Sequence, residues 1–174
     1  MGVAATLEKF LKDKDVPFSL LEHAYAEGSF NTAKVAKINE QSLVKAVLLR
    51  DEDFHYMLCA LPTHHKILRH TLNQIFDRHL ELVDEEELQK IFADCAPGAI
   101  PALGAAYGLD MIWDEDLLNQ PELYIEAGDH VHLIKIPTDA FTALLNSAMH
   151  DKFSAYRKRH TSLPKKYIHQ GYVL

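Results

Sequence analysis

The sequence is poor in several features that would have fixed its class at once. Its 174 residues contain two cysteines, Cys59 and Cys95, and they form no C-x-x-C pair. That argues against a disulfide framework, a zinc ribbon or a thiol redox motif, and suits a reducing compartment. No apolar run approaches the roughly 20 residues needed to cross a bilayer. The N-terminus, Met1 to Lys9, lacks a basic stretch followed by an apolar one, so a cytoplasmic protein without membrane partners is expected. Gly/Ser-rich linkers, internal repeats and low-complexity tracts are also missing, which predicts a single domain. No P-loop, dinucleotide-binding glycine fingerprint or Gly-x-Ser-x-Gly elbow occurs. Neither cysteine has a local partner, so covalent catalysis is unsupported. Any chemistry must rest on positioning and electrostatics.

Charge is scarce in one sign. The net charge is −7, yet residues 147–174 hold Lys152, Arg157, Lys158, Arg159, Lys165 and Lys166 against Asp151 alone, a local +5 that leaves −12 for the preceding 146 residues. The expected organisation is therefore a domain over residues 1–146 and a basic C-terminal tail over 147–174. The tail suits either a polyanion or the acidic body of its own chain or of a second subunit.

The periodic segments mix helix and strand. Val3, Leu7, Phe10 and Leu11 predict a first helix over about 3–13, and Phe18 to Glu22 a strand that delivers His23 to its end. Asn31 or Thr32 is expected to cap a short helix. Strands near 43–50 and 54–61, joined by Asp51-Glu52-Asp53, predict an antiparallel hairpin. A helix is expected over 66–76 and a short strand over 80–83. Asp84 and Glu87 have capping-box spacing before another helix. Strands over 109–113, 123–126 and 131–136 and a helix from Thr138 follow. Without regular βαβ alternation, the fold class is α+β, with a curved, mostly antiparallel sheet and surrounding helices.

Two features carry chemistry. Lys45 interrupts the apolar run Leu43-Val44-Lys45-Ala46-Val47-Leu48-Leu49. It is either a strand lysine whose amine snorkels to water or a cation at a pocket wall that meets a phosphate, a carboxylate or developing negative charge. Residues 97–104, Pro-Gly-Ala-Ile-Pro-Ala-Leu-Gly, are either an ordinary turn-rich connection or a cradle. In the second reading the peptide N–H groups near Gly98 and Ala99 face a reacting carbonyl and Pro101 holds their direction. Eleven histidines suggest a metal, but no H-x-x-x-H or H-E-x-x-H spacing occurs, so no metal and no cofactor is expected. His130 and His132 are two apart at the start of a strand, hence on one face, as surface groups or ligand contacts. His23 contacts a ligand if its strand end opens toward the same cavity.

Strand-His23, then Thr32-Ala33-Lys34-Val35-Ala36, Leu43-Val44-Lys45-Ala46-Val47, Gly98-Ala99-Ile100-Pro101-Ala102-Leu103-Gly104 and Glu126-Ala127-Gly128, in that order, resemble the YbaK-like, prolyl-tRNA-synthetase-associated domain family over roughly residues 17–146. The resemblance implies a barrel-like sheet and a free-standing aminoacyl-tRNA deacylase that acts in trans on mischarged aminoacyl-tRNA, with a synthetase as a possible further partner. It implies that Lys45 holds the 3′ end of the tRNA and that Gly98, Ala99 and Pro101 contact the aminoacyl group. Thr32 falls at a polar position of the family, Gly104 closes the loop motif, and His130 or His132 matches a histidine of the synthetase-inserted form. Two positions depart from the pattern. Ala24 follows His23, and Ala102 follows Pro101, where proline is frequent in relatives, and both bear on pocket shape. Two other readings stay open: a non-catalytic module that binds a nucleotide or the tRNA acceptor end, and a hydrolase of another small aminoacyl ester. The oligomeric state is left open.

Overall fold

The computed structural model describes residues 2–156. In chain order the elements are α1 (Ala5–Asp13), β1 (Ser19–Glu22), α2 (Ser29–Ala36), β2 (Leu43–Arg50), β3 (Tyr56–Pro62), β4 (His65–Ile67), α3 (Arg69–Phe76), β5 (Glu81–Leu82), α4 (Glu85–Ile91), β6 (Asp110–Asp114), β7 (Glu122–Glu126), β8 (His132–Pro137), α5 (Thr138–Leu144), β9 (Met149–Asp151) and β10 (Ser154–Tyr156). The expected hairpin is present: β2 and β3 pair antiparallel from Val44 with Pro62 to Arg50 with Tyr56. Asp51 accepts from the N–H groups of Asp53 and His55 at 3.0 and 2.9 Å, which closes the connection as an Asx turn. Asp84 caps α4 by accepting from Glu87 N at 2.8 Å.

The α+β class holds, but the sheet is mixed and does not close. Its strands run in the order β1-β8-β7-β2-β3-β6-β9. The β2–β7, β3–β6 and β6–β9 pairs are parallel, so "barrel-like" describes its curvature only. Both faces are covered, which is why β2 and β3 read as continuous apolar runs. Leu48, Leu58, Trp113 and Ile125 face a core with Leu7, Leu11, Phe92 and Phe141. Leu49, Cys59, Leu61 and Ile112 face another with Leu72 and Phe153.

Three sequence expectations need correction. α2 begins at Ser29 after Gly28, whose φ of 79° turns the chain into the helix, so Thr32 lies inside it, fully buried, and caps nothing. The stretch read as a helix from 66 opens with β4, which pairs with β10. β9 and β10 belong to the segment read as a tail, so the sheets continue past residue 146. Asp114 anchors this return: its Oδ2 accepts from Phe153 N, Ser154 N and Ser154 Oγ at 3.2, 2.9 and 2.6 Å. Of the tail's basic residues Lys152 is among those described. Arg157, Lys158, Arg159, Lys165 and Lys166 lie outside them. Among the described residues no helix is long and apolar enough to cross a membrane.

One irregularity in the sheet prepares the site. Opposite β3, the edge of β2 is shared by two strands: β7 takes Leu43 and Val44, and β5 takes Leu49 and Arg50. Val83 N adds a bond to Leu48 O at 3.2 Å. Neither strand pairs with Lys45, Ala46 or Val47, so the sheet is breached beside Lys45.

Candidate active site

A cavity of about 300 Å³ opens at that breach. Lys45, Ala46 and Val47 line it from β2, Leu82 and Val83 from β5 and its exit, Gly98 and Ile100 from the Gly/Pro loop, and Glu126 from the end of β7. Lys45 and Gly98, some fifty residues apart in the chain, therefore share one hollow. Lys45 Nζ donates to His65 O at 2.8 Å, which draws its stem along the strand face rather than out to bulk water.

The loop is built around a turn. Ala99 N donates to Ala96 O at 3.0 Å, with Pro97 and Gly98 between them and Gly98 at φ 83°, the pattern of a type II turn that needs glycine at its third position. The N–H of Ala99 is thus spent inside the turn and does not face a ligand, contrary to the sequence expectation. Among the described residues the N–H groups of Gly98 and Ile100 reach no protein acceptor, and both residues line the cavity. Sequence reading named Gly98 and overlooked Ile100 as a donor.

His130 fixes the direction of the Gly98 peptide. Its Nε2 lies 2.8 Å from Pro97 O. A carbonyl can only accept, so Nε2 carries the proton. In a trans peptide the C=O and the following N–H point in opposite directions, so tying Pro97 O to His130 turns Gly98 N–H the other way. His130 reaches this position because its φ is 64°, which takes it out of the extended chain. The alternation argument that put His130 and His132 on one face therefore fails. His132, at the start of β8, is held by Asp129 at 2.6 Å and does not line the cavity. A second tie, Ala96 N to Gly128 O at 2.7 Å, joins the loop to the same turn.

The other expected residues sort by place. Pro101 is buried in the loop behind the cavity wall. Gly104 lies elsewhere: a Cβ there would come within 2.7 Å of Met111 Cγ, so its glycine serves packing. His23 Nδ1 donates to Ala24 O at 2.8 Å, and its buried Nε2 has no partner. Thr32 Oγ1, His130 Nδ1 and Glu126 Oε2 are likewise buried without hydrogen-bond partners. Thr32 and His130 both act on the Glu126 carboxyl, the hydroxyl from close by without completing a well-formed bond.

Glu126 is the residue that sequence reading passed over as a site residue. One step beyond the last paired residues, the parallel register that sets Val44 beside Ile125 brings Lys45 beside Glu126 on the same face. The side chain is 7% exposed, and burial pushes its pKa up to about 7, against smaller lowering contributions from His130 and Thr32. Burial raises both thiols as well, Cys59 to about 12 and Cys95 to about 11, so neither supplies a thiolate near neutrality.

A second hollow of about 290 Å³ adjoins the first and shares Lys45, Val47 and Leu82 with it. Lys66 and Arg69 line it, and among the described residues neither forms an ion pair. The metal question narrows to His65, Asp114 and Asp116, whose ligand atoms lie within 4.8 Å of one another. Their atoms already serve the protein. His65 Nδ1 meets Ser154 Oγ at 2.8 Å, and both Asp114 oxygens accept protein donors. The group acts as a lock between β10 and β6.

Comparison with known proteins now bears on this geometry. A family model described as the aminoacyl-tRNA editing domain matches residues 26–144. Among solved structures, one provisionally described as a trans-editing enzyme for prolyl tRNA synthetase superposes with a TM-score of 0.76 at 18% identity. The match covers 87% of this chain and 96% of that one. The hypothetical protein APE2540 gives 0.76 at 16% identity, covering 86% and 99%. No curated protein matches the sequence significantly.

Proposed function

We propose that this chain, which belongs to the aminoacyl-tRNA editing domain family, is a deacylase that acts in trans and hydrolyses the ester between a wrongly attached amino acid and the terminal ribose of tRNA. The observation that carries this reading is the shared cavity: a cation from β2 and a pair of unspent peptide N–H groups face the same small hollow. An ester is already activated, so a covalent nucleophile is not required. Water attacks the carbonyl, and Gly98 and Ile100 N–H receive the charge that develops on its oxygen. Lys45 binds the nucleotide end and adds positive potential. His130 acts through the Pro97–Gly98 peptide that it orients.

Selection follows from size. A hollow of about 300 Å³, walled by Val47, Leu82, Val83 and Ile100, excludes larger side chains far more sharply than it separates smaller ones. The tRNA strand runs on through the adjoining hollow, where Lys66 and Arg69 neutralise backbone phosphates against an otherwise acidic body.

The test is a panel of mischarged aminoacyl-tRNAs incubated with the purified protein. One or a few small amino acids should be released at catalytic rates, and the apparent KM should rise steeply between about 50 and 200 mM salt. Doubly reversing the groove charges, Lys66→Glu with Arg69→Glu, should raise KM roughly tenfold and flatten the salt dependence. Binding of tRNA without turnover across the whole panel would leave a binding module instead. Hydrolysis of small aminoacyl esters that ignores both salt and the groove substitutions would remove tRNA from the reaction.

A further inference from the structure

The buried carboxyl at the breach has no structural employment that accounts for it. Glu126 ends β7, its Oε2 has no hydrogen-bond partner, and its side chain lines the cavity that holds Lys45 and Gly98. Leaving a carboxylate oxygen buried and unpaired costs stability unless a ligand or water meets it. We infer that Glu126 is the general base of the hydrolysis proposed above, positioned to take a proton from the attacking water; the inference rests on that reading.

The proton balance is complete without a co-reactant. Water held between Glu126 Oε2 and the ester carbonyl loses a proton to the carboxylate as its oxygen bonds to the carbonyl carbon. The carbonyl oxygen, now an oxyanion, is received by the N–H groups of Gly98 and Ile100. Collapse breaks the bond from the carbonyl carbon to the ribose oxygen, and the protonated Glu126 returns its proton to that oxygen. The products are a free amino acid and an intact 3′ end, with Glu126 ionised again.

The groups around Glu126 suit this cycle. Asp129 and His130 face it from the turn after β7, Thr32 from α2, Lys45 from β2, and Glu85, which lines the same cavity, from α4. Burial and Asp129 favour the protonated form, while His130 and Thr32 favour the ionised one. A carboxyl balanced near neutrality both accepts and returns a proton at working pH.

The deciding experiment measures single-turnover deacylation of the preferred mischarged tRNA from pH 5 to 9 by wild type, Glu126→Gln and Glu126→Ala. Wild type should show a rate that climbs with pH and levels above neutrality. Glu126→Gln should lose on the order of 10² in rate at pH 7 with KM within about threefold, and its levelling limb should vanish. Formate added to Glu126→Ala should restore part of the rate, which a purely structural carboxyl would not allow. Circular dichroism melts check that both variants fold. An active wild type with an equally active, equally pH-dependent Glu126→Gln overturns the base alone. A wild type that deacylates nothing in the panel overturns the reaction, and the base with it.

Discussion

Lys45→Ala should lower deacylation of the preferred mischarged tRNA by roughly 10³ while leaving the melting temperature within a few degrees of wild type. The size follows from what the amine meets on each side. Toward the protein it makes a hydrogen bond to His65 O at 2.8 Å, and that carbonyl can turn to water once the side chain is gone. Toward the cavity it is the cation nearest the nucleotide end of the substrate. Removing it strips a charge-assisted contact from a poorly solvated site, where such contacts are worth about 2–5 kcal/mol. The effect should fall on both kcat and KM, because the phosphate is bound in the ground state and the positive potential acts on the transition state. Wild-type turnover in Lys45→Ala would remove the lysine from the mechanism.

Gly98→Val is the second large effect, again on the order of 10³ in kcat, and its cause is conformational. A φ of 83° suits glycine, and a β-branched residue resists it. Space alone is no obstacle, since a Cβ would meet His130 Cε1 at an ordinary 3.8 Å. The strain is relieved by rotating the Pro97–Gly98 peptide, which turns its N–H away from the carbonyl and breaks the Pro97 O contact with His130. Losing one such donor costs roughly 10²–10³, and the added methyls narrow the cavity as well. Single-turnover kinetics with a circular dichroism melt separate the outcomes. A folded Gly98→Val with wild-type kcat would show that this peptide does not receive the developing charge.

The parts of the fold legible in the sequence are those written locally. The β2–β3 hairpin declares itself by two apolar runs around an aspartate turn, and α4 by Asp84 and Glu87. β4, β9 and β10 are three residues each and pair with strands far away in the chain. Their sequence carries no period, and Ile67, Leu68 and Leu72 extend the helical pattern of α3 backward over β4. Residues 149–156 were hidden by charge, because a basic stretch reads as a tail until Asp114 is seen holding the backbone at Phe153 and Ser154.

At the site, Lys45 and Gly98 were readable because each breaks a local rule: a charge in an apolar strand, a glycine behind a proline. Ala99 was misread because only the turn reveals that its N–H is already used. His130 was misplaced because alternation assumes an extended chain, which a φ of 64° denies. Glu126 stood in the quoted Glu126-Ala127-Gly128 motif without a role, since a carboxylate at a strand end ordinarily faces solvent and its burial comes from α2, β2 and the loop together.

The divided edge of β2 has a bearing on how such a protein changes its taste. The backbone that carries Lys45 is clamped at both ends, by β7 on one side and β5 on the other, so the reacting groups keep their spacing. The gauge of the opening is set separately, by Leu82 and Val83 at the short β5 and by Leu88 of α4. Trimming or enlarging those three side chains alters which amino acid fits without touching the machinery, and selectivity can drift while chemistry stands still.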